Sequence, residues 1–402
     1  MAMDRRQFML GSGLGLLATA MPGFPVLANT AAPGRRRLVT VMLYGGMDGL
    51  AAVTPYGDIA MAQARRGTTI PRPGRGPGAG LDLDGFFSLH PAMAALKPHY
   101  DRGHLAIVHA TGRSRSNGSH FLCQDEVQIG MQHQPNFRTD GWLNRAWGVL
   151  EGDRPILSMT RRVPLIARGS APSVSYSKSS LPDVSAQDYA RVASLYESNP
   201  KFQAAFREAG VAREIARKAL AEARAKSRGK KSEFFASAAL AGRILASPYG
   251  PSVCCLEMRG WDHHSAQGGS TGLFANYARD LATGLDALVE GLGPAFEQTV
   301  ILVFSEFGRT VLENGSKGTD HGWGGVFFVL GGGVNGGKVY GRWPGLVSGA
   351  TFAKKQLDVT TNQFAVFAEV MRDHLSVDEA YLADDVFPTD RWRSPNLGLL
   401  RT

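Results

Sequence analysis

The run Thr299–Phe304 reads T-V-I-L-V-F, an apolar β-type segment that turns polar at its C-terminal end. Its length and its β-branched content predict a buried strand. Comparable runs lie at Arg37–Leu43, His104–Ala110, Ser252–Met258 and Val326–Leu330. Helical patterns separate these runs, and strands that alternate with helices predict an α/β fold with a sheet covered on both faces.

The predicted helices cover Pro91–Tyr100, begin near Ser119, and cover Leu273–Leu292 and Asn362–His374. A second kind of segment extends from about 172 to 247, first rich in serine and then basic. Between Lys201 and Lys231 it carries ten Lys or Arg and three Glu, a local charge of +7 within a chain of net charge +9. We interpret it as a helical insert whose charged face is either solvated or a dock for anionic partners.

The N-terminus predicts export. A twin-arginine pattern, D-R-R-Q-F-M at Asp4–Met9, precedes a short glycine-bearing apolar run, and small or aliphatic residues end at Ala28. These parts are typical of a twin-arginine (Tat) signal, so we expect residues 1–28 to be removed after handling by the Tat translocase. The destination is then the periplasm, with residues 29–402 as the mature domain. The apolar run is too short for a membrane span, and no later stretch of the mature chain reads as one.

Composition excludes several classes of partner and site. The three cysteines give no C-x-x-C spacing, which argues against a disulfide framework and against cysteine-bound zinc. Nucleic acid is not expected as a partner, because the basic segment has few interleaved aromatic residues and the predicted destination is periplasmic. An anionic small molecule or polymer remains the expected substrate.

Polar residues follow the ends of four predicted strands. The C-terminal edge of an open α/β sheet is where ligands and catalytic groups collect, so these residues are candidates for one shared site. They are Asp48; Ser119 with His120; Asp262 with His263 and His264; and Glu306 with Arg309, Asp320 and His321. Of the two adjacent histidines, only one can point inward from an extended segment.

Histidine nitrogens with carboxylate oxygens suit a divalent metal. The histidines favour zinc as the bound ion, and manganese and magnesium are the alternatives. Ser119 at a helix start is either an N-cap or a nucleophile. Arg309 is either a clamp for two oxygens of a phosphate or sulfate, or a salt-bridge partner of Glu306.

Five motifs carry a resemblance to a known family. They are G-G-M-D-G-L at 45–50, S-H-F-L-C-Q-D at 119–125, G-W-L-N-R at 141–145, W-D-H-H-S-A-Q at 261–267, and S-E-F-G-R-T with G-T-D-H-G-W at 305–323. Together they resemble the domain-of-unknown-function family numbered 1501, over about residues 37 to 372. The resemblance implies Tat export and a three-layer α/β/α sandwich of alkaline-phosphatase type, descended from two-metal hydrolases of the alkaline phosphatase and sulfatase superfamily.

The superfamily's roles carry over position by position. Asp48 and Asp262 are similar to metal-binding aspartates, and Ser119 occupies the place of the nucleophile. His264 lies two residues after Asp262, where the superfamily's histidine lies four residues on. Glu306 occupies the place of an Asp-His pair that includes a second-metal ligand, and His321 resembles the last histidine ligand. The expected metal ligands are Asp48, Asp262, His264, Glu306, Asp320 and His321.

Two functions follow as hypotheses. The first is a periplasmic metal-dependent hydrolase of phosphate or sulfate esters, with Ser119 or a water as nucleophile and Arg309 on the anionic oxygens. The second is a non-catalytic binding or assembly protein that kept a degenerate form of the fold. A formylglycine sulfatase is disfavoured, because no C/S-x-P-x-R motif lies near Ser119 or Cys123.

Overall fold

The structure is a computed structural model that describes residues 35–113, 118–132, 138–150, 154–176, 186–195, 232–247, 250–347, 355–388, 392 and 396–401. The predicted signal at residues 1–28 and the basic segment at 201–231 lie outside these residues. Among the described helices, none combines the length and the apolar character that crossing a membrane requires.

Twelve strands are named here in chain order. They are β1 Arg37–Tyr44, β2 Val53–Thr54, β3 Leu81–Asp82, β4 Ser88–Leu89, β5 Leu105–Gly112, β6 Ile156–Ser158, β7 Ser173–Ser175, β8 Val253–Arg259, β9 Thr299–Ser305, β10 Gly325–Gly331, β11 Lys338–Tyr340 and β12 Thr361–Asn362. The α-helices are α1 Gly49–Ala52, α2 Met61–Ala64, α3 Lys97–Asp101, α4 His120–Ile129, α5 Trp142–Gly148, α6 Ala186–Ser194, α7 Glu233–Ala246, α8 Leu273–Leu292, α9 Gln363–Glu369 and α10 Glu379–Tyr381. Short 3₁₀ turns cover Pro91–Leu96, Leu165–Ala167 and Gly293–Gln298, and π turns cover Val370–His374 and Leu382–Val386.

One large sheet organises the chain. Its order is β11-β5-β10-β9-β1-β8-β6-β7, with β12 also beside β5, and β2, β4 and β3 form a small separate sheet. Only β10 in the large sheet runs against its neighbours β9 and β5; the other pairings are parallel. The C-terminal ends of β1, β5, β8 and β9 therefore meet at one edge, where β10 begins.

Both faces of the sheet are covered. In β1, Val39, Val41 and Leu43 pack into one buried cluster with α7 and α8, while Leu38 and Met42 pack into a second cluster with α5 and α9. This two-residue alternation is what a strand between two helical layers requires. The predicted three-layer α/β/α class is confirmed.

The predicted insert at 172–247 joins this architecture at both ends. Ser173–Ser175 forms the edge strand β7, and Glu233–Ala246 forms α7, which packs along α8. Helix α7 begins at the N-cap Ser232, whose hydroxyl accepts from Phe235 N–H at 3.2 Å. Most of the residues between them lie outside the described part of the chain, so the insert's boundaries stay a prediction.

Candidate functional site

The candidate site lies at the edge where β1, β5, β8 and β9 end. Loops after these strands approach one another closely at Gly45, whose φ is +119° and where a Cβ atom would lie 2.6 Å from the backbone nitrogen of Asp262. Only glycine fits such a position without displacing the neighbouring chain. The sequence G-G-M-D after β1 therefore brings the loop that carries Asp262 against the sheet edge.

A bridged loop positions the last histidine. Arg309 and His321 form an antiparallel bridge, and Thr310 N–H donates to Asp320 C=O at 3.0 Å. Gly322 N–H donates to Gly308 C=O at 2.8 Å, which closes the loop just before β10. His321 is thus fixed by backbone pairing on both sides, facing the loops after β5 and β8.

Three histidines at this edge each have Nδ1 held by an acceptor. His120 Nδ1 lies 2.7 Å from Glu306 Oε1, His264 Nδ1 lies 3.2 Å from Asp320 Oδ1, and His321 Nδ1 lies 2.5 Å from the carbonyl oxygen of Gly118. Because a carbonyl or an ionised carboxylate only accepts, each Nδ1 carries the proton of a neutral ring. Each Nε2 of a neutral ring is then a bare lone pair.

These Nε2 atoms converge on Asp262. His264 Nε2 lies 2.9 Å and His321 Nε2 lies 3.3 Å from Asp262 Oδ1, and the two nitrogens are 3.0 Å apart. On the other oxygen, Asp262 Oδ2 lies 3.3 Å from His120 Nε2, a buried atom without a hydrogen-bond partner. We call His120, Asp262, His264 and His321 the histidine cluster.

Lone pairs this close repel one another unless positive charge lies between them. Protons on the rings are one source, but burial lowers the pKa of His321, which keeps that ring neutral at pH 7. The bond from Glu306 raises the pKa of His120. A divalent ion would satisfy the lone pairs of His120, Asp262 and His321 at once, because neutral histidine and carboxylate are its usual ligands.

The spacing also suits zinc. With zinc–ligand bonds of about 2.0–2.1 Å, the donor atoms of a tetrahedral site lie about 3.4 Å apart. The nearest separations within the histidine cluster run from 2.9 to 3.3 Å. Among the described residues, one group of three or more ligand-type side chains has all its donor atoms within 4.8 Å of one another, and it consists of His120, Asp262 and His321.

Arg309 lies behind the cluster instead of facing solvent. Its guanidinium is fully buried and pairs with Asp262. Burial alone would raise the pKa of Asp262, but the bond and charge of Arg309 outweigh it and lower that pKa to about 2. The remaining donors reach backbone carbonyls of Gly45, Gly46, Trp261 and Thr319. The Arg309 donors that would clamp an anion therefore all bond within the protein. In the structure the salt-bridge partner of Arg309 is Asp262, whereas the sequence suggested Glu306.

Asp48 lies at the same edge but in a different environment. Arg65 NH1 donates to its Oδ2 at 2.6 Å and Arg65 NH2 to its Oδ1 at 3.1 Å, while Gln267 Nε2 donates to Oδ2 at 2.7 Å. The N–H groups of Leu50 and Ala51 also donate to Oδ1, so Asp48 caps α1. We call Asp48, Arg65 and Gln267 the aspartate–arginine cluster; its carboxylate oxygens are fully occupied.

The remaining predicted residues surround the histidine cluster. Glu306 and Asp320 orient histidines through Nδ1, and Glu306 also accepts from Gly45 N–H at 2.9 Å. Ser119 is exposed at the N-cap of α4, directly before His120. His263 points away from the site, into a buried ring cluster with Trp261 and Tyr277, so His264 is the histidine of that pair in the site.

Sequence reasoning missed two residues. His120 was noted only as a neighbour of Ser119, although a histidine in the first turn of a helix at this edge can reach the same centre. Arg65 opens a run rich in Pro, Gly and Arg at 65–80, a composition that predicts a surface loop. The structure buries its side chain completely, and no local signal distinguishes it from the exposed Arg66.

Together, fold and site define a three-layer α/β protein with a histidine–carboxylate cluster at the C-terminal edge of its sheet. The family described as "Protein of unknown function (DUF1501)" matches residues 35–366, and the chain belongs to this family. No curated protein matches the chain.

Solved structures show distant similarity. The C-terminal periplasmic domain of EcEptC from Escherichia coli, solved with zinc, aligns at a TM-score of 0.43 and 10% identity, covering 94% of this chain and 91% of that one. The phosphonate monoester hydrolase of Agrobacterium radiobacter aligns at 0.36 and 11% identity, covering 88% and 78%. The PsFucS1 sulfatase from Pseudoalteromonas sp. aligns at 0.36 and 12% identity, covering 92% and 74%.

Proposed function

We propose that this protein is a metal-dependent hydrolase of phosphate or sulfate esters, exported to the periplasm. The observation that carries the proposal is the convergence of three histidine Nε2 atoms on Asp262. Zinc is the proposed ion, held by the histidine cluster. It would polarise an ester oxygen and neutralise the negative charge that develops during hydrolysis.

The chain's own residues organise the ligands. Glu306 is buried and fixes His120, Asp320 fixes His264, and the Gly118 carbonyl fixes His321. Such outer partners set the tautomer and the orientation of a metal-binding histidine. Arg309 keeps Asp262 ionised and ties the loops after β1 and β8 together.

We assign the nucleophile to Ser119. Its hydroxyl oxygen would attack phosphorus or sulfur, forming a new O–P or O–S bond as the bond to the alcohol breaks, and the hydroxyl proton would pass to the departing alcohol oxygen. A water would then cleave the new bond, return a proton to the Ser119 oxygen and release the free anion. The N-terminus of α4 favours the alkoxide, because free N–H groups and the helix dipole point toward it. If water attacks directly instead, Ser119→Ala retains turnover and the serine assignment is wrong.

One ion per chain is the proposed stoichiometry. Two carboxylates that the resemblance places in the metal set, Asp48 and Glu306, are both engaged. Asp48 accepts from Arg65 and Gln267, and Glu306 accepts from His120, Gln124 and Gly45. A second ion would have to displace these bonds, including the buried ion pair of Asp48 and Arg65. Breaking such a pair costs on the order of several kcal/mol, which opposes binding of the second ion.

The test starts with elemental analysis of the mature protein, purified without a histidine tag. The expected result is one equivalent of zinc, lost in His321→Ala and retained in His104→Ala, a control at the opposite edge of the sheet. A screen of aryl phosphate monoesters, diesters and sulfates then follows. Folded protein that binds no added zinc, manganese or magnesium would favour the non-catalytic binding protein instead.

Export has its own test. Replacing Arg5 and Arg6 by lysine in the full chain should retain the protein in the cytoplasm, because the Tat translocase reads the arginine pair. Fractionation of cells that produce the variant and the unaltered chain measures this. Periplasmic recovery of the lysine variant would contradict the Tat assignment.

A further inference from the structure

An ester with a phosphate or sulfate group needs a cation that faces the substrate. Arg309, the arginine nearest the histidine cluster, directs its donors to Asp262 and to four backbone carbonyls, and its side chain is fully buried. Releasing it would leave those acceptors unpaired. Beyond the charge that a bound zinc ion would supply, any side-chain cation for the substrate therefore comes from another residue at the mouth of the site.

The segment 355–357 lies along that mouth and is held on both sides of the bridged loop. Val311 N–H donates to the carbonyl oxygen of Lys355 at 3.0 Å, and Gly324 N–H donates to that of Leu357 at 3.0 Å. Between them, Gln356 Nε2 lies 3.5 Å from the carbonyl oxygen of His321. These contacts fix the backbone of the segment beside a residue of the histidine cluster.

Lys355 is exposed, and its ammonium forms no ion pair with a carboxylate of the described residues. Its carbonyl oxygen accepts from Val311 N–H, and the N–H of the adjacent Thr310 donates to the carbonyl oxygen of Asp320, so the backbone of Lys355 lies one residue pair away from Asp320. An unpaired ammonium on a flexible four-carbon stem at this position can reach an anion that approaches the histidine cluster.

We propose that Lys355 binds the anionic oxygens of the substrate, one of the two roles that the sequence leaves open for Arg309. The substrate class is then an ester whose phosphate or sulfate group keeps at least one charged oxygen that does not contact the metal. The proposal rests on the proposed function for its ester, but the binding of the free anion tests it without turnover.

The probes are inorganic phosphate and inorganic sulfate, titrated calorimetrically into zinc-loaded protein. We expect Lys355→Met to weaken binding of the preferred anion about 10-fold, because a charge-assisted hydrogen bond is lost. Lys355→Arg should restore most of the affinity. Lys317→Met is the matched control, an exposed lysine in the bridged loop, and should bind as the unaltered protein does. Zinc content should be equal in all four proteins.

Several outcomes separate this proposal from the proposed function. Wild-type affinity in Lys355→Met, equal losses in Lys317→Met, or no binding of either anion would each overturn the role of Lys355. If an ester is turned over, the variant should raise KM with little change in kcat, because uniform binding is lost. Anion binding that depends on Lys355, in a protein that hydrolyses no ester, would support this inference while the hydrolase proposal fails.

Discussion

Asp262 and Asp48 follow neighbouring strands, β8 and β1, and both contact a buried arginine, yet they do opposite things. In the aspartate–arginine cluster every oxygen of Asp48 faces a donor, and the ion pair with Arg65 is almost completely buried. In the histidine cluster, Asp262 has a side chain 42% exposed and faces the Nε2 atoms of three histidines besides Arg309. One cluster is complete without a ligand and the other is not.

The difference teaches how to separate a structural carboxylate from a metal ligand. Residue type and strand position are the same for both aspartates, so neither decides the role. The number of donors around each carboxylate does, because a carboxylate matched by donors on every side has no lone pair left for an ion, whereas a carboxylate that also faces imidazole lone pairs lacks a donor on those sides. The comparison predicts that changes in the first cluster act on folding and changes in the second act on metal binding.

The largest expected effect is at Asp48. Replacing it with alanine leaves the charge of Arg65 buried and unpaired, so the free energy of unfolding should fall by about 3–5 kcal/mol. Urea unfolding of the metal-free protein measures this. Zinc stoichiometry of the folded fraction should remain one per chain.

Asp286→Ala is the control for that substitution, since Asp286 is a half-exposed carboxylate whose partner is His99. It should cost at most about 1 kcal/mol. The separation of roles breaks down if Asp48→Ala unfolds like the unaltered protein but no longer retains zinc, because Asp48 would then be a ligand.

The next effect is at Asp262. Asp262→Asn keeps an oxygen for Arg309 but removes the negative charge of a proposed zinc ligand. Zinc affinity should therefore fall by more than about 100-fold, or about 2.7 kcal/mol. Competition with a chromophoric chelator measures it, and His104→Ala should show no change. Zinc affinity within a factor of about two of the unaltered protein would place the ion elsewhere.

The two outer carboxylates should differ by their burial. Glu306→Gln should weaken zinc binding by about 10- to 100-fold, because the buried carboxylate fixes the tautomer of His120. Asp320→Asn should weaken it less than about 10-fold, since the Asp320 side chain is 52% exposed and water can take its place. The same chelator competition ranks the two variants. A larger loss of zinc affinity in Asp320→Asn than in Glu306→Gln would show that zinc binding depends more on the orientation of His264 than on that of His120.

The sequence predicted the strands of the sheet edge well and the site less completely. Runs such as Thr299–Phe304 match strands to within two residues because two-sided burial makes them apolar throughout. The short strands β6 and β7 were missed, since three residues carry no readable period. The reversed direction of β10 was also not predicted, because its direction depends on how the bridged loop returns to the sheet.

The roles of the individual site residues could not be predicted from the sequence, for a physical reason. Asp48, Glu306 and Arg309 were placed at the correct edge, but whether a side chain faces a ligand or a neighbouring donor depends on contacts between distant segments. Arg65 reaches Asp48 from a loop without regular structure, and Arg309 bonds to carbonyls of three different loops. Motif spacing records neither contact.

The smallest expected effect is on pH dependence. Between about pH 5 and 8 the histidine cluster should change its contribution to stability, whereas the aspartate–arginine cluster should not. The pKa of Asp48 is held low: burial opposes this, but Arg65 outweighs it, so its stabilisation is present above about pH 3.9 and is lost only as pH falls further. The pKa of His120 is raised by Glu306, so its stabilisation of the metal-free protein is full below about pH 6.5 and is lost as pH rises through the raised value.

Zinc affinity should move in the opposite direction, rising with pH as the proton leaves His120. Glu306→Gln removes the cause of the raised His120 pKa. Above about pH 6.5 it should therefore flatten the pH dependence of both the free energy of unfolding without metal and the zinc affinity. Buried His109, His263 and His374, with pKa values lowered to about 4, add a common slope below about pH 6.5 that cancels in the difference between the two proteins. Urea unfolding without metal and chelator competition, each at three pH values, measure that difference. Parallel curves for Glu306→Gln and the unaltered protein would show that His120 does not titrate with the histidine cluster, and would leave Asp262, His264 and His321 as the ligands.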